Sequence, residues 1–381
     1  MALPTMAMQG GKNFLQLEKG SITGWQLTML ITGFVIGSAS ILPIGGDAKQ
    51  SAWLAVLLGM GEALAMAGLF VYLARRFPGH SLIEINVEVF GVAGILISLF
   101  FIWFLLHLGS LVLTNFVQFF SALFYPETPE VVFAIVTALV CVYAVYLGIE
   151  ALARCSLILV PLTILLVIFN TIMVTPQMEL KNLLPLMDIP LTKLLWAGHS
   201  AAAFPFGETV AFLMIMGAVK AENRNWSRFA WGLLIPGIMM AALMARNTAV
   251  LGETTADFVY PSLQVLRLID VGEIFSRVEA VLAINFLAMG FIKVSVLLYG
   301  CALGSAQLLK LQSYRPLVMP IGLLMAVLSL MMSPNTPRMT EFAQVIWPLY
   351  SLPFELGIPL LLLLGAVVFR RKQPAKGERS C

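Results

Sequence analysis

Between Val89 and Pro126 the chain carries no formally charged side chain, and between Gly20 and Gly46 there is none either. A helix crosses the hydrocarbon core of a bilayer in about 20 mostly apolar residues, so each run is long enough to span. In hydrocarbon every backbone N–H and C=O must find a partner, which restricts spanning segments to helices or closed barrels. Continuous apolar runs of this length, without period-two alternation, read as helices. The remainder of the chain agrees: 60% of its 381 residues are hydrophobic and 11% are charged, against about 25% charged in a soluble domain.

The apolar runs predict ten transmembrane helices, at 24–45, 51–74, 92–124, 131–147, 154–174, 194–218, 228–248, 274–309, 316–333 and 343–369, with a basic tail at 370–381. They form a single all-α polytopic domain. The segment before the first run has no cleavage pattern, so that run is expected to be a span and not a signal peptide. With the N-terminus inside, fifteen of the 23 Lys and Arg fall in cytoplasmic segments and seven outside. This asymmetry predicts that both termini are cytoplasmic, which requires an even number of spans. The four cysteines show no disulfide or zinc spacing. No P-loop, HExxH, GxSxG or clustered ligand set is present, so neither an enzyme nor a metal or cofactor site is expected.

Five spans followed by five more give the two halves, about 24–174 and 194–369, opposite orientations. The first span of each half is interrupted, at Gly37-Ser38-Ala39-Ser40 and at Phe204-Pro205-Phe206-Gly207-Glu208. The third span of each half is overlong and follows related lettering, Phe77-Pro78-Gly79-His80-Ser81-Leu82 and Tyr260-Pro261-Ser262-Leu263. These features together predict an inverted 5+5 repeat with broken helices 1 and 6 and a binding site near the midplane. A broken helix offers free N–H groups to a carboxylate and free C=O groups to a cation, which suits a small zwitterion such as an amino acid. Gly33-x-x-x-Gly37 also reads as a close-packing face, and both readings stay open for the first break.

Phe204-Pro205-Phe206-Gly207-Glu208 with the apolar run after it resembles the signature of the endospore germination permeases, the B subunits of Ger-type germinant receptors. That family belongs to the amino acid–polyamine–organocation transporter superfamily. Gln26 to Pro43, Leu147-Gly148-Ile149-Glu150-Ala151-Leu152-Ala153-Arg154, and Tyr260-Pro261-Ser262-Leu263 continued through Ile269 to Glu279 resemble the same family. The resemblance covers about 24–370. It implies a leucine-transporter-type fold, a spore inner-membrane or cell-membrane location, and assembly with an A subunit and a lipoprotein C subunit. It also implies a small germinant as ligand, often an amino acid. Gly37, Ser38, Ala39, Phe204, Pro205, Phe206, Gly207 and Glu208 are then expected to line the pocket. Proton-coupled members of the superfamily carry a lysine on helix 5, but Cys155 to Thr175 contains none.

Glu62, Glu208, Lys293, Glu355, His107 and His199 all fall within predicted spans, where charge is costly and faces the bundle interior or water. Glu208 either meets ligand or caps the half-helix after the break. Lys293 is the one lysine in a span. In the transporter fold that the resemblance implies, it can stand in for a cation between helices 1 and 8. Alternatively it forms a buried ion pair with Glu62, Glu208 or Glu355. Glu62 is expected in packing or in a polar network, and His107 as an interhelical hydrogen-bonder. Two functions remain open: a germinant-sensing subunit, and a proton-coupled amino acid transporter acting alone. An ion channel is a third.

Overall fold

In the computed structural model the described residues are 20–186, 188–268, 279–333 and 335–370. They are helical, and the one β-type contact among them is an isolated bridge between Ile22 and Val219. Among the described residues, six helical segments are long and apolar enough to cross a membrane: 46–76, 92–123, 149–177, 226–257, 280–308 and 336–367. The chain is thus a multi-pass membrane protein.

The α-helices in chain order are α1 (Gly24–Ile36), α2 (Ala52–Arg76), α3 (Leu82–Phe90), α4 (Val92–Leu123), α5 (Glu130–Tyr146), α6 (Ile149–Val174) and α7 (Leu191–Ala201). They continue with α8 (Trp226–Leu251), α9 (Pro261–Arg267), α10 (Glu279–Leu308), α11 (Arg315–Ser329), α12 (Thr336–Glu341), α13 (Trp347–Leu352) and α14 (Ile358–Arg370). Local sequence sets several starts. Thr23 with Gln26, and Ser81 with Glu84, form capping boxes for α1 and α3, satisfying amides that have no intrahelical acceptor.

Four of the predicted spans are not long continuous helices. α1, α5 and α11 are short apolar helices, and 191–214 is α7 followed by a π turn and a 3-10 segment. One further expectation is corrected. The stretch Gly148 to Arg154, expected to link two spans, is the N-cap and opening turns of α6: Gly148 at φ +99° turns the chain in, and Glu150 and Arg154 pair at 3.4 Å one turn apart. The last span is not uniform, because π turns at Phe342–Ile346 and Pro353–Gly357 flank α13. Pro348 and Pro353 lack the N–H that would continue an α ladder there. The segment 269–278, which carries most of one resemblance block and the expected start of the eighth span, lies outside the described residues, as does the basic tail after Arg370.

α10 is the most enclosed long helix and α6 the most exposed. α10 packs against α1, α4, α5, α6 and α11. Where helices approach closely the contact residue is small, as membrane packing requires. A Cβ on Gly33 would lie 2.8 Å from Ile292 and 2.9 Å from Val160, so Gly33 serves packing. A short helix precedes a long one twice, α3 before α4 and α9 before α10. The chain just before α1 is joined to the chain just after the 207–218 stretch by Ile22 N–H to Ala218 O (2.9 Å) and Lys220 N–H to Ile22 O (3.1 Å).

Candidate functional site

Two interruptions meet beside α10. α1 stops at Gly37, whose backbone turns to φ 11°, ψ −120° while its N–H still reaches Gly33 O at 3.0 Å. A side chain cannot be added there: a Cβ would sit 2.6 Å from Lys293 Cδ and 2.7 Å from the Phe34 carbonyl oxygen. A short 3-10 turn, Ser38–Ser40, follows. At the second interruption, Pro205 disfavours the α region for the residue before it. Phe204 accordingly adopts φ −125°, ψ 118°. The 3-10 segment Gly207–Met214 then carries Glu208 inward, and the Thr209 hydroxyl donates to Phe206 O at 2.7 Å.

Lys293 on α10 donates to Glu208 Oε2, and both residues are fully buried. The ammonium also lies 5.0 Å from the Phe204 ring centroid and 5.2 Å from that of Phe34, within cation–π range. Of the three carboxylates considered as partners for Lys293, the structure selects Glu208. Glu355 is buried close by, within Coulombic reach of Glu208 and Lys293. Its carboxyl occupies the space that a side chain at Gly207 would take, with Glu355 Cδ 2.7 Å from the position of a Cβ. Gly37 and Gly207 are therefore the places where the two interruptions make room for a buried cluster of two carboxylates and one ammonium. Such a cluster is costly to desolvate and holds only when its members compensate one another.

A cavity of about 20 Å³ adjoins the cluster, lined by Ser38, Leu42, Asn115, Phe204, Glu208 and Trp347 together with apolar residues of α4 and of 339–343. The Ser38 hydroxyl, Asn115 Oδ1, Glu208 Oε1 and Trp347 Nε1 are all buried with no hydrogen-bond partner among the described residues. Unpaired buried polar atoms are rare, because each forfeits its hydration. Four of those found among the described residues line this one small cavity. A second cavity shares Leu42, Phe204 and Ala343 with the first.

Of the residues expected to line a ligand pocket, Ser38, Phe204 and Glu208 line this cavity. Gly37, Ala39, Pro205, Phe206 and Gly207 shape the backbone around it instead. Glu62 is not in the cluster: it pairs with His199 at 2.9 Å on a face where its side chain is 41% exposed. His107 hydrogen-bonds Tyr350 across helices at 3.1 Å. The sequence reading missed Asn115, Phe342 and Trp347. The polar pair Thr114-Asn115 inside an uncharged span was the available signal for the first of these. Nothing comparable marked Trp347.

The protein is similar to spore germination protein KB of Bacillus subtilis (strain 168), with 29% identity over 372 residues covering 96% of this chain and 100% of the relative. It is also similar to spore germination protein YndE of the same organism, with 23% identity over 325 residues covering 82% of this chain and 87% of the relative. Among solved structures it shares its fold with Mhp1, a nucleobase-cation-symport-1 family transporter, in a closed conformation with bromovinylhydantoin bound; the TM-score is 0.66 and the identity 12%, over 94% of this chain and 81% of the other. The fold is likewise that of a Na⁺-coupled sialic acid symporter in a substrate-bound outward-open state (TM-score 0.66, 13% identity, 92% and 89% covered). It is also that of MhsT in complex with L-phenylalanine (TM-score 0.58, 15% identity, 94% of each chain). The family described as spore germination protein matches residues 21–337, and the chain belongs to that spore germination permease family.

Proposed function

We propose that the protein is the membrane subunit of a germinant receptor, and that it binds a small solute in the cavity between its two helical interruptions. The observation that carries this is the set of unpaired buried groups on one cavity: three oxygens from Ser38, Asn115 and Glu208, and one indole N–H. Oxygens call for a guest with hydrogen-bond donors, and an amino acid's ammonium is the simplest one. Glu208 keeps one oxygen on Lys293 and has the other free for the guest. At about 20 Å³ the cavity has room for about one water in this conformation, so a solute enters only when the walls around Phe204 and Phe342 part.

The wider frame is ten spans in an inverted 5+5 arrangement, with helices 1 and 6 broken and both termini cytoplasmic. Its support is the pairing of α3–α4 with α9–α10, the two interruptions beside α10, and the shared fold of the solute transporters. The membrane is the spore inner membrane or the cell membrane. Family membership supports assembly with an A subunit and a lipoprotein C subunit, to which occupancy is relayed.

A second reading, a proton-coupled amino acid transporter acting alone, draws on Glu355. Two buried carboxylates sharing one ammonium form a group able to hold a proton. The two readings separate in one experiment. The purified protein is screened for thermal stabilisation by a panel of amino acids, sugars and nucleosides, and each hit is then tested for uptake in proteoliposomes. Binding without uptake, lost in Asn115→Leu, is the receptor result. Concentrative uptake driven by a proton gradient is the transporter result.

A further inference from the structure

Charge around the cavity is unbalanced, and the imbalance says what a guest must carry. Glu208, Glu355 and Lys293 are buried together, so two carboxylates share one ammonium. Lys293 is engaged with Glu208 Oε2, while Glu208 Oε1 and Glu355 Oε1 have no hydrogen-bond partner among the described residues. A buried charge holds only when it is paired. A second cation beside Glu208 Oε1 would bring the cluster to two of each sign.

The walls offer little to a carboxylate. Among the described residues that line the two adjoining cavities, Glu208 is the single ionisable one. The glycine amides at both interruptions are taken: Gly37 N–H reaches Gly33 O at 3.0 Å, and Gly207 N–H bonds Ala202 O. Of the four unpaired groups on the first cavity the one donor is Trp347 Nε1, which is neutral and suits a hydroxyl or a carbonyl. Phe204, Phe342 and Trp347 all line that cavity, and aromatic faces attract cations. With room for about one water, it matches an ammonium head as it stands. The second cavity is lined by the 42–45 turn with Ser200, Thr340 and Gln344, uncharged groups that suit a neutral polar tail.

We propose that the guest is a primary amine without a carboxylate, of the amino alcohol or amino acid amide class. Its ammonium sits in the first cavity among the oxygens of Ser38, Asn115 and Glu208, and its uncharged tail extends into the second. This rests on the reading that a solute binds between the interruptions, and it narrows what that solute is. The ammonium carries the recognition. A free carboxylate weakens binding, because it would be buried near Glu208 and Glu355 with no free cation to meet it.

The test measures thermal stabilisation and Kd of the full-length protein in nanodiscs for alanine, valine and phenylalanine, each beside its amino alcohol and its amide. The alcohol and the amide should bind about tenfold more tightly than the parent amino acid, a gap of ~1.4 kcal/mol. Acetylating the amine should abolish binding, and bound alaninol should slow thiol labelling of Ser38→Cys. Thr340→Leu, which adds bulk at the second cavity, should weaken phenylalaninol more than methylamine. An amino acid that binds as tightly as its alcohol and amide, or an acetylated amine that binds as well as the free one, would overturn the proposal and leave the cavity reading standing. So would a sugar or nucleoside that protects Ser38→Cys while no amine does. Equal weakening of phenylalaninol and methylamine in Thr340→Leu would overturn the placement of the tail. Amines that stabilise the protein yet leave Ser38→Cys labelling unchanged would overturn the cavity reading and the proposal together, as would stabilisation by none of these compounds.

Discussion

Lys293 is held by Glu208, by two aromatic faces and by its own stem packed against Gly37. Removing one member of a buried pair strands the other, at a cost of about 3–5 kcal/mol. Lys293→Ala is therefore expected to lower abundance and melting temperature in detergent, read by fluorescence-detected size exclusion and a thermal melt. Neutralising both partners, Lys293→Met with Glu208→Gln, should recover most of the loss, whereas Lys293→Met with Glu62→Gln should not. Recovery by the Glu62 combination would show that the pairing is different. That Lys293 needs a partner was legible in the sequence, as a lone lysine in an apolar span. Which carboxylate it takes was not, because hydropathy reports depth and is silent on the face a side chain occupies. Asn115 and Trp347 escaped for the same reason.

At the scale of elements, the interruptions act as fittings for the charged cluster. A methyl at Gly207 meets the Glu355 carboxyl, so Gly207→Ala should cost about 1–3 kcal/mol, as overpacking does. Because one contact causes the loss, Gly207→Ala in a Glu355→Ala background should cost less than in the parent. Thermal melts of the four proteins form a double-mutant cycle, and strict additivity would contradict the contact. The second interruption was readable from Pro205 and Gly207, since proline disfavours helix at the residue before it and glycine leaves room. The early start of α6 was not readable, because Gly148 looks the same whether it ends one helix or starts the next. The π turns around α13 were signalled only by Pro348 and Pro353, which announce an irregularity without giving its form.

For the whole molecule, apolar run lengths made a multi-pass helical protein legible. The inverted 5+5 pairing belongs to the proposal; what the structure adds is that a short helix precedes a long one both at α3–α4 and at α9–α10. Sidedness rests on the distribution of Lys and Arg. Single cysteines at Glu222, Lys181 and Asp257, probed in intact cells with a membrane-impermeant thiol reagent, should label at 181 and 257 and stay protected at 222. Labelling at all three would reject the orientation. The central claim is that a small solute sits between the two interruptions, and protection of Ser38→Cys from a small permeant thiol reagent tests it most directly. The background carries Cys155→Ser and Cys381→Ser, which leaves the buried Cys141 and Cys301 in place. A solute that stabilises the protein should slow labelling of Ser38→Cys and of Asn115→Cys, and leave a surface cysteine at Leu165 unaffected. A solute that stabilises the protein yet leaves labelling at both cavity positions unchanged would place the binding site elsewhere.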